Sequence, residues 1–177
     1  MQKYVLLDID GVMVPASGWK PVELHPDGFY MFNRLAQKNL GRILMETGAS
    51  VILTTTHRGR YKNDEWREVF RRRFQFAVNV QTIDDVYPKV IARKSFIPQP
   101  GTVTCIDSGS KKREHSRFCD VVGWLAMYGE NRYVIIDDDT SLDALPAAVK
   151  RRWVKTSPAI GLNDEAAEKA LTILNEF

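Results

Sequence analysis

The chain has 177 residues, with 25 Lys and Arg against 22 Asp and Glu and a formal net charge of +3. That length suits one domain, residues 1–177, with a core large enough to fold without staples. Two cysteines, Cys105 and Cys119, exclude a disulfide framework and a paired C-x-x-C zinc site, and no apolar run approaches the length of a membrane span.

The opening stretch "KYVLLDIDGV" reads as a buried strand interrupted at its end by Asp8 and Asp10. It begins without a basic segment leading into an apolar run, so the expectation is a cytoplasmic protein with reduced thiols. "DGFYMFNRLAQKNLGRILMETG" carries Phe29, Phe32, Leu35, Ala36, Leu40, Ile43 and Leu44 at helical spacings, with Gly48 as its stop. "ASVILTTT" is a second short apolar run rich in β-branched residues. "NDEWREVFRRRF" starts as a helix should, with Asn63 and two acids at its front. "FAVNV" and "TVTCID" are weaker strand candidates, and a small insertion is expected at about 84–101, around "YPKVIARKSFIPQPG".

Further on, "SRFCDVVGWLAMYG" reads as a helix closed by Gly129, and "RYVIIDDD" as a strand ending in three carboxylates. "RRWVKT" is a last short strand, and "NDEAAEKALTILNEF" a terminal helix capped by Asn163. Alternating helices and apolar strands imply an α/β fold with a parallel sheet covered by helices. Ligands of such sheets bind beyond the carboxyl ends of the strands. Asp8 and Asp10, Thr54 to Thr56, and Asp137 to Asp139 all fall there.

Charge is uneven: residues 57–117 hold fourteen Lys or Arg against seven Asp or Glu. A basic middle segment fits an anionic substrate or a nucleic-acid surface; a solvated basic helix at "WREVFRRRF" fits equally well. Carboxylates gathered at one edge repel one another, and a divalent cation with oxygen ligands, Mg²⁺ above all, resolves the conflict. One carboxylate can then attack phosphorus while a second protonates the departing alkoxide and later activates water.

These residues resemble the motifs of the haloacid dehalogenase (HAD) superfamily. "DIDGV" is similar to its first motif in the D-x-D phosphatase form, "VILTTT" to the second and "VIIDDD" to the fourth. A narrower resemblance joins "ILTTTHR", "RFCDVVGWL" and "WVKTSPAIGLNDEAAEKALTIL" to the small HAD domains associated with RNA-repair proteins. This chain has Thr for their Ser, His57 for their Trp, and Phe118 and Asp120 in the third stretch. The resemblance implies a three-layer Rossmann-like core with little or no cap, a phosphoric monoester hydrolase acting through an aspartyl-phosphate, and Mg²⁺ as cofactor.

Carried over by position, the resemblance makes Asp8 the nucleophile and a metal ligand. Asp10 becomes the general acid/base, with its backbone carbonyl on the metal. Thr54 binds a phosphoryl oxygen, with Thr55 as the alternative. Asp138 is the fourth-motif ligand and Asp137 its support, while Asp139 starts the next turn. Arg117 is the preferred third-motif cation, ahead of Lys111, Lys112 and Arg113. Arg58, Lys112 and Thr55 are candidate substrate contacts. His57 and the tryptophans Trp66, Trp124 and Trp153 read as structural. The substrate expected is a nucleotide, a nucleic-acid end or another phosphorylated macromolecule. A non-catalytic phosphate- or nucleic-acid-binding module on the same fold is the alternative.

Overall fold

Five short apolar runs become the strands of one sheet in the computed structural model, which describes residues 1–16, 21–86 and 117–176. They are β1 (Lys3–Leu7), β2 (Ser50–Leu53), β3 (Val80–Thr82), β4 (Arg132–Asp137) and β5 (Trp153–Lys155). All pair in parallel, in the order β3-β2-β1-β4-β5. The first strand therefore sits at the centre. Its register aligns Leu7 with Leu53 on one side and with Ile136 on the other.

Both faces are covered, which is why these strands are apolar without alternation. Val5, Leu7, Val51, Leu53, Val134 and Ile136 pack beneath α1 (Arg34–Thr47), α2 (Asn63–Phe74) and α6 (Asp164–Glu176). Leu6, Ile52 and Ile135 pack on the opposite face with Val121 and Trp124 of α4 (Arg117–Tyr128) and Ile83 of α3 (Ile83–Val86). A short α5 (Ala147–Lys150) leads into β5. The α/β architecture is the three-layer one expected. Trp66, Trp124 and Trp153 are all buried in it, as packing residues are.

Element boundaries differ from the sequence reading in one instructive place. The first helix starts at Arg34, not at Asp27, because Asn33 caps it by accepting from the amides of Leu35 (2.9 Å) and Ala36 (3.2 Å). Ahead of that cap, Gly28 at φ +81° and Asp27, which accepts from the Phe29 amide, hold the chain in a turn. Phe29 and Phe32 are buried nonetheless, so apolar spacing extended the helix past its true start, and Leu35 lies largely exposed. The end falls as expected: Gly48 adopts the left-handed conformation and its N–H reaches the Leu44 carbonyl.

"FAVNV" yields β3 only at its last residue, while "TVTCID", and the expected insertion from residue 87 onward, lie outside the described residues. Cys119 is disulfide-bonded, not the reduced thiol expected. The count of two cysteines ruled out a framework but carried no information on whether Cys119 is oxidised. No helix among the described residues is long and apolar enough to cross a membrane.

Candidate active site

Side-chain alternation along the sheet decides which carboxylates meet. Leu6, Ile52 and Ile135 face α4, so the residues two further on, Asp8, Thr54 and Asp137, turn to that same side at the carboxyl edge. Arg117 stands opposite them as the first residue of α4. Its Nη2 lies 2.9 Å from Asp8 Oδ1 and its Nε 2.9 Å from Asp137 Oδ2. One guanidinium thus spans two carboxylates delivered by adjacent strands.

Both contacts are charge-to-charge without hydrogen-bond alignment. Asp8 Oδ1, Asp137 Oδ2 and Arg117 Nε remain buried with no hydrogen-bond partner among the described residues. Burial pushes the Asp8 carboxyl above its ordinary range, while Arg117, the Ile9 amide and the Thr55 hydroxyl pull it back down. Asp137, fully buried, is pushed up to about 7, first by burial and further by the Asp8 charge, against the pull of Arg117. Asp138 is raised as well, again by burial first. Asp8, Asp137 and Asp138 offer ligand atoms that all lie within 4.8 Å of one another. A three-carboxylate, oxygen-only set with unsatisfied buried acceptors fits a hard divalent cation.

The loop after β1 is built to admit Asp138. Gly11 has φ +68°, and a Cβ there would fall inside the carboxylate of Asp138. Thr156 donates to the Gly11 carbonyl at 3.0 Å, and the Leu162 amide donates to Val12 O at 2.9 Å. The segment after β5 therefore braces the loop after β1. Gly161, at φ +76°, packs where a Cβ would strike that same Val12 carbonyl. Neither Thr156 nor this brace stood out in the sequence, since nothing local marks a contact with residue 11.

The remaining candidates divide. The Thr55 hydroxyl bonds to the Asp8 carboxylate, while Thr54 Oγ1 is buried without a hydrogen-bond partner among the described residues. The Asp10 side chain is 51% exposed, and His57 Nε2 lies 2.8 Å from its Oδ2. Asp139 caps the 3-10 turn Thr140–Ala144 by accepting from the Ser141 amide. Arg58 is not presented to this cluster. It is buried, with Nε 2.9 Å from Asp84, Nη2 3.0 Å from Asp120 and Nη1 donating to the carbonyls of Thr54 and Thr55. Lys112, with Lys111 and Arg113, lies outside the described residues.

The basic helix resolves into ion pairs. Arg67 meets Asp64, Arg71 and Arg72 meet Glu68, and Arg73 is buried on Asp27. Its positive charge is therefore largely answered within the fold.

A central D-x-D strand end, a fourth-strand acid pair and an arginine spanning them on a parallel five-stranded sheet define a HAD-type domain. The chain belongs to the family described as the HAD domain in Swiss Army Knife RNA repair proteins, whose pattern matches residues 4–167. No curated protein and no solved structure matches the chain.

Proposed function

We propose that this single-domain protein is an Mg²⁺-dependent phosphomonoester hydrolase acting through an aspartyl-phosphate on Asp8, with a phosphorylated nucleic-acid end as substrate. The observation that carries the reading is the contrast between two carboxylates two residues apart. Asp8 is buried beside Asp137, Asp138 and Arg117, whereas the Asp10 side chain is half-exposed and paired with His57. Two acids in unlike environments can take unlike roles.

Asp8, Asp138 and Asp137 would hold Mg²⁺, together with the Asp10 carbonyl; when bound, the ion supplies charge neutralisation for phosphate oxygens beside acidic residues. The Asp8 carboxylate attacks phosphorus, the ester P–O bond breaks, and Asp10 gives its proton to the leaving alkoxide. Asp10, now a carboxylate, takes a proton from water as that water attacks the phosphorus. The P–O bond to Asp8 then breaks, releasing inorganic phosphate and restoring both acids. Arg117 holds Asp8 ionised and in place, which a nucleophile needs. The hydroxyl of Thr54, with no hydrogen-bond partner among the described residues, is the donor for a non-bridging oxygen.

The test is phosphate release from a chromogenic phosphomonoester, nucleoside monophosphates and oligonucleotides phosphorylated at the 3′ or 5′ end. The expected result is release that EDTA abolishes and that Asp8→Asn lowers by at least about 1,000-fold, with oligonucleotide ends preferred. Wild-type activity retained in Asp8→Asn would overturn the mechanism. A folded protein that binds oligonucleotide but releases no phosphate would establish a binding module instead.

A further inference from the structure

His57 stands at a junction that the assigned roles do not use. It lies just beyond the threonines that follow β2, in the 3-10 turn Thr56–Arg60. Its backbone N–H donates to Thr55 Oγ1 at 3.3 Å, and the Thr55 hydroxyl in turn bonds to Asp8. Its ring reaches the other way, placing Nε2 2.8 Å from Asp10 Oδ2. In the tautomer protonated at Nε2 the ring donates to that oxygen, which can accept whether or not Oδ1 carries a proton. The ring is wedged edge-on between Phe29 (5.9 Å, 79°) and Tyr30 (5.1 Å, 90°), with Phe29 fully buried.

We propose that His57 is a positioning residue for Asp10, holding its carboxyl in the one orientation that serves both half-reactions. The inference rests on the assignment of Asp10 as general acid/base. A half-exposed aspartate with no other side-chain donor among the described residues would otherwise sample several rotamers. Proton transfer demands hydrogen-bond reach to the leaving oxygen and later to the incoming water, and a misplacement of about 1 Å can lower a rate about 100-fold. The bond from Nε2 occupies Oδ2 and leaves Oδ1 to carry the proton in transit. Neutral and protonated imidazole both offer an N–H here, so the role is one of geometry. Because Thr55 links the same residue to Asp8, the spacing between nucleophile and acid/base is set by one short turn.

The decisive comparison uses His57→Phe and His57→Gln with an alkyl phosphate, whose leaving group needs a proton, and an aryl phosphate, whose leaving group needs it less. His57→Phe is expected to lower kcat about 100-fold for the alkyl ester and less than about tenfold for the aryl ester, with KM within about threefold of wild type. His57→Gln, which can still donate an N–H to Asp10, is expected to recover most of the loss. In an Asp10→Asn background His57→Phe should add little, since both changes act on one group. Equal losses on both esters without rescue by Gln, or no loss on either, would overturn the inference while leaving the hydrolase intact. Absence of any release by wild type would overturn both.

Discussion

Gly11 shows how narrowly the cluster is built around one carboxylate. Any side chain at that position would need a left-handed backbone and would occupy the space of Asp138. Gly11→Ala is therefore expected to lower stability by about 1–2 kcal/mol, while removing most of the stabilisation by Mg²⁺ because Asp138 is displaced. Urea unfolding with and without Mg²⁺ separates the two effects. The adjacent threonines make the opposite pair. Thr54 Oγ1 is buried and has no hydrogen-bond partner among the described residues, so Thr54→Val removes no such bond and should leave the urea midpoint within error or raise it. If its hydroxyl meets a phosphoryl oxygen, kcat/KM should nonetheless fall by about 10- to 100-fold. A Thr54→Val variant with wild-type kcat/KM would remove it from the phosphate site.

Arg58 works at the next level up, tying loops and helices together. Its guanidinium joins the turn after β2 to Asp84 of α3 and Asp120 of α4, and its own carbonyl accepts from the Trp66 indole of α2. Arg58→Met would take this cation away from the Asp84 and Asp120 carboxylates, and the loss is expected at about 2 kcal/mol in urea unfolding. A change below about 1 kcal/mol would show that the network is not structural. The sequence placed Arg58 at the substrate because it follows the second motif. Its true partners are 26 and 62 positions away in the chain, and no local pattern announces them. The same limit explains the false start of α1 and the invisibility of Thr156. Periodicity reports which side chains are buried, not which backbone conformation buries them. What was legible followed from short-range chemistry: apolar runs that became strands, the Asn163 and Gly48 caps, and acids at the carboxyl ends of strands. Arg117 was legible through its place at a helix start. Only the fold shows that its one guanidinium spans Asp8 and Asp137.

Among the described residues, Asp8, Asp137 and Asp138 face one cation, Arg117, so the ionised cluster carries excess negative charge in a buried place. The three carboxyls are raised by burial, Asp137 to about 7. For acids whose folded pKa lies above the unfolded value, the native state binds more protons than the unfolded chain. Their contribution to stability is then fully present below the unfolded carboxyl range and is lost as pH rises through about 7 for Asp137. The metal-free protein should accordingly melt several degrees lower at pH 8 than at pH 5. Mg²⁺ binds only the ionised carboxylates and competes with their protons, so it should raise Tm at pH 8 and have little effect at pH 5. Asp137→Asn removes one buried charge at the position where the shift is largest. It should raise the metal-free Tm at pH 8, flatten its pH dependence and cut the response to Mg²⁺. Thermal melts of both proteins at the two pH values, with EDTA or with Mg²⁺, make the comparison. A metal-free Tm that rises from pH 5 to pH 8, or an Mg²⁺ shift equal at both, would mean that the cluster is held by its own ion pairs and not by a cation.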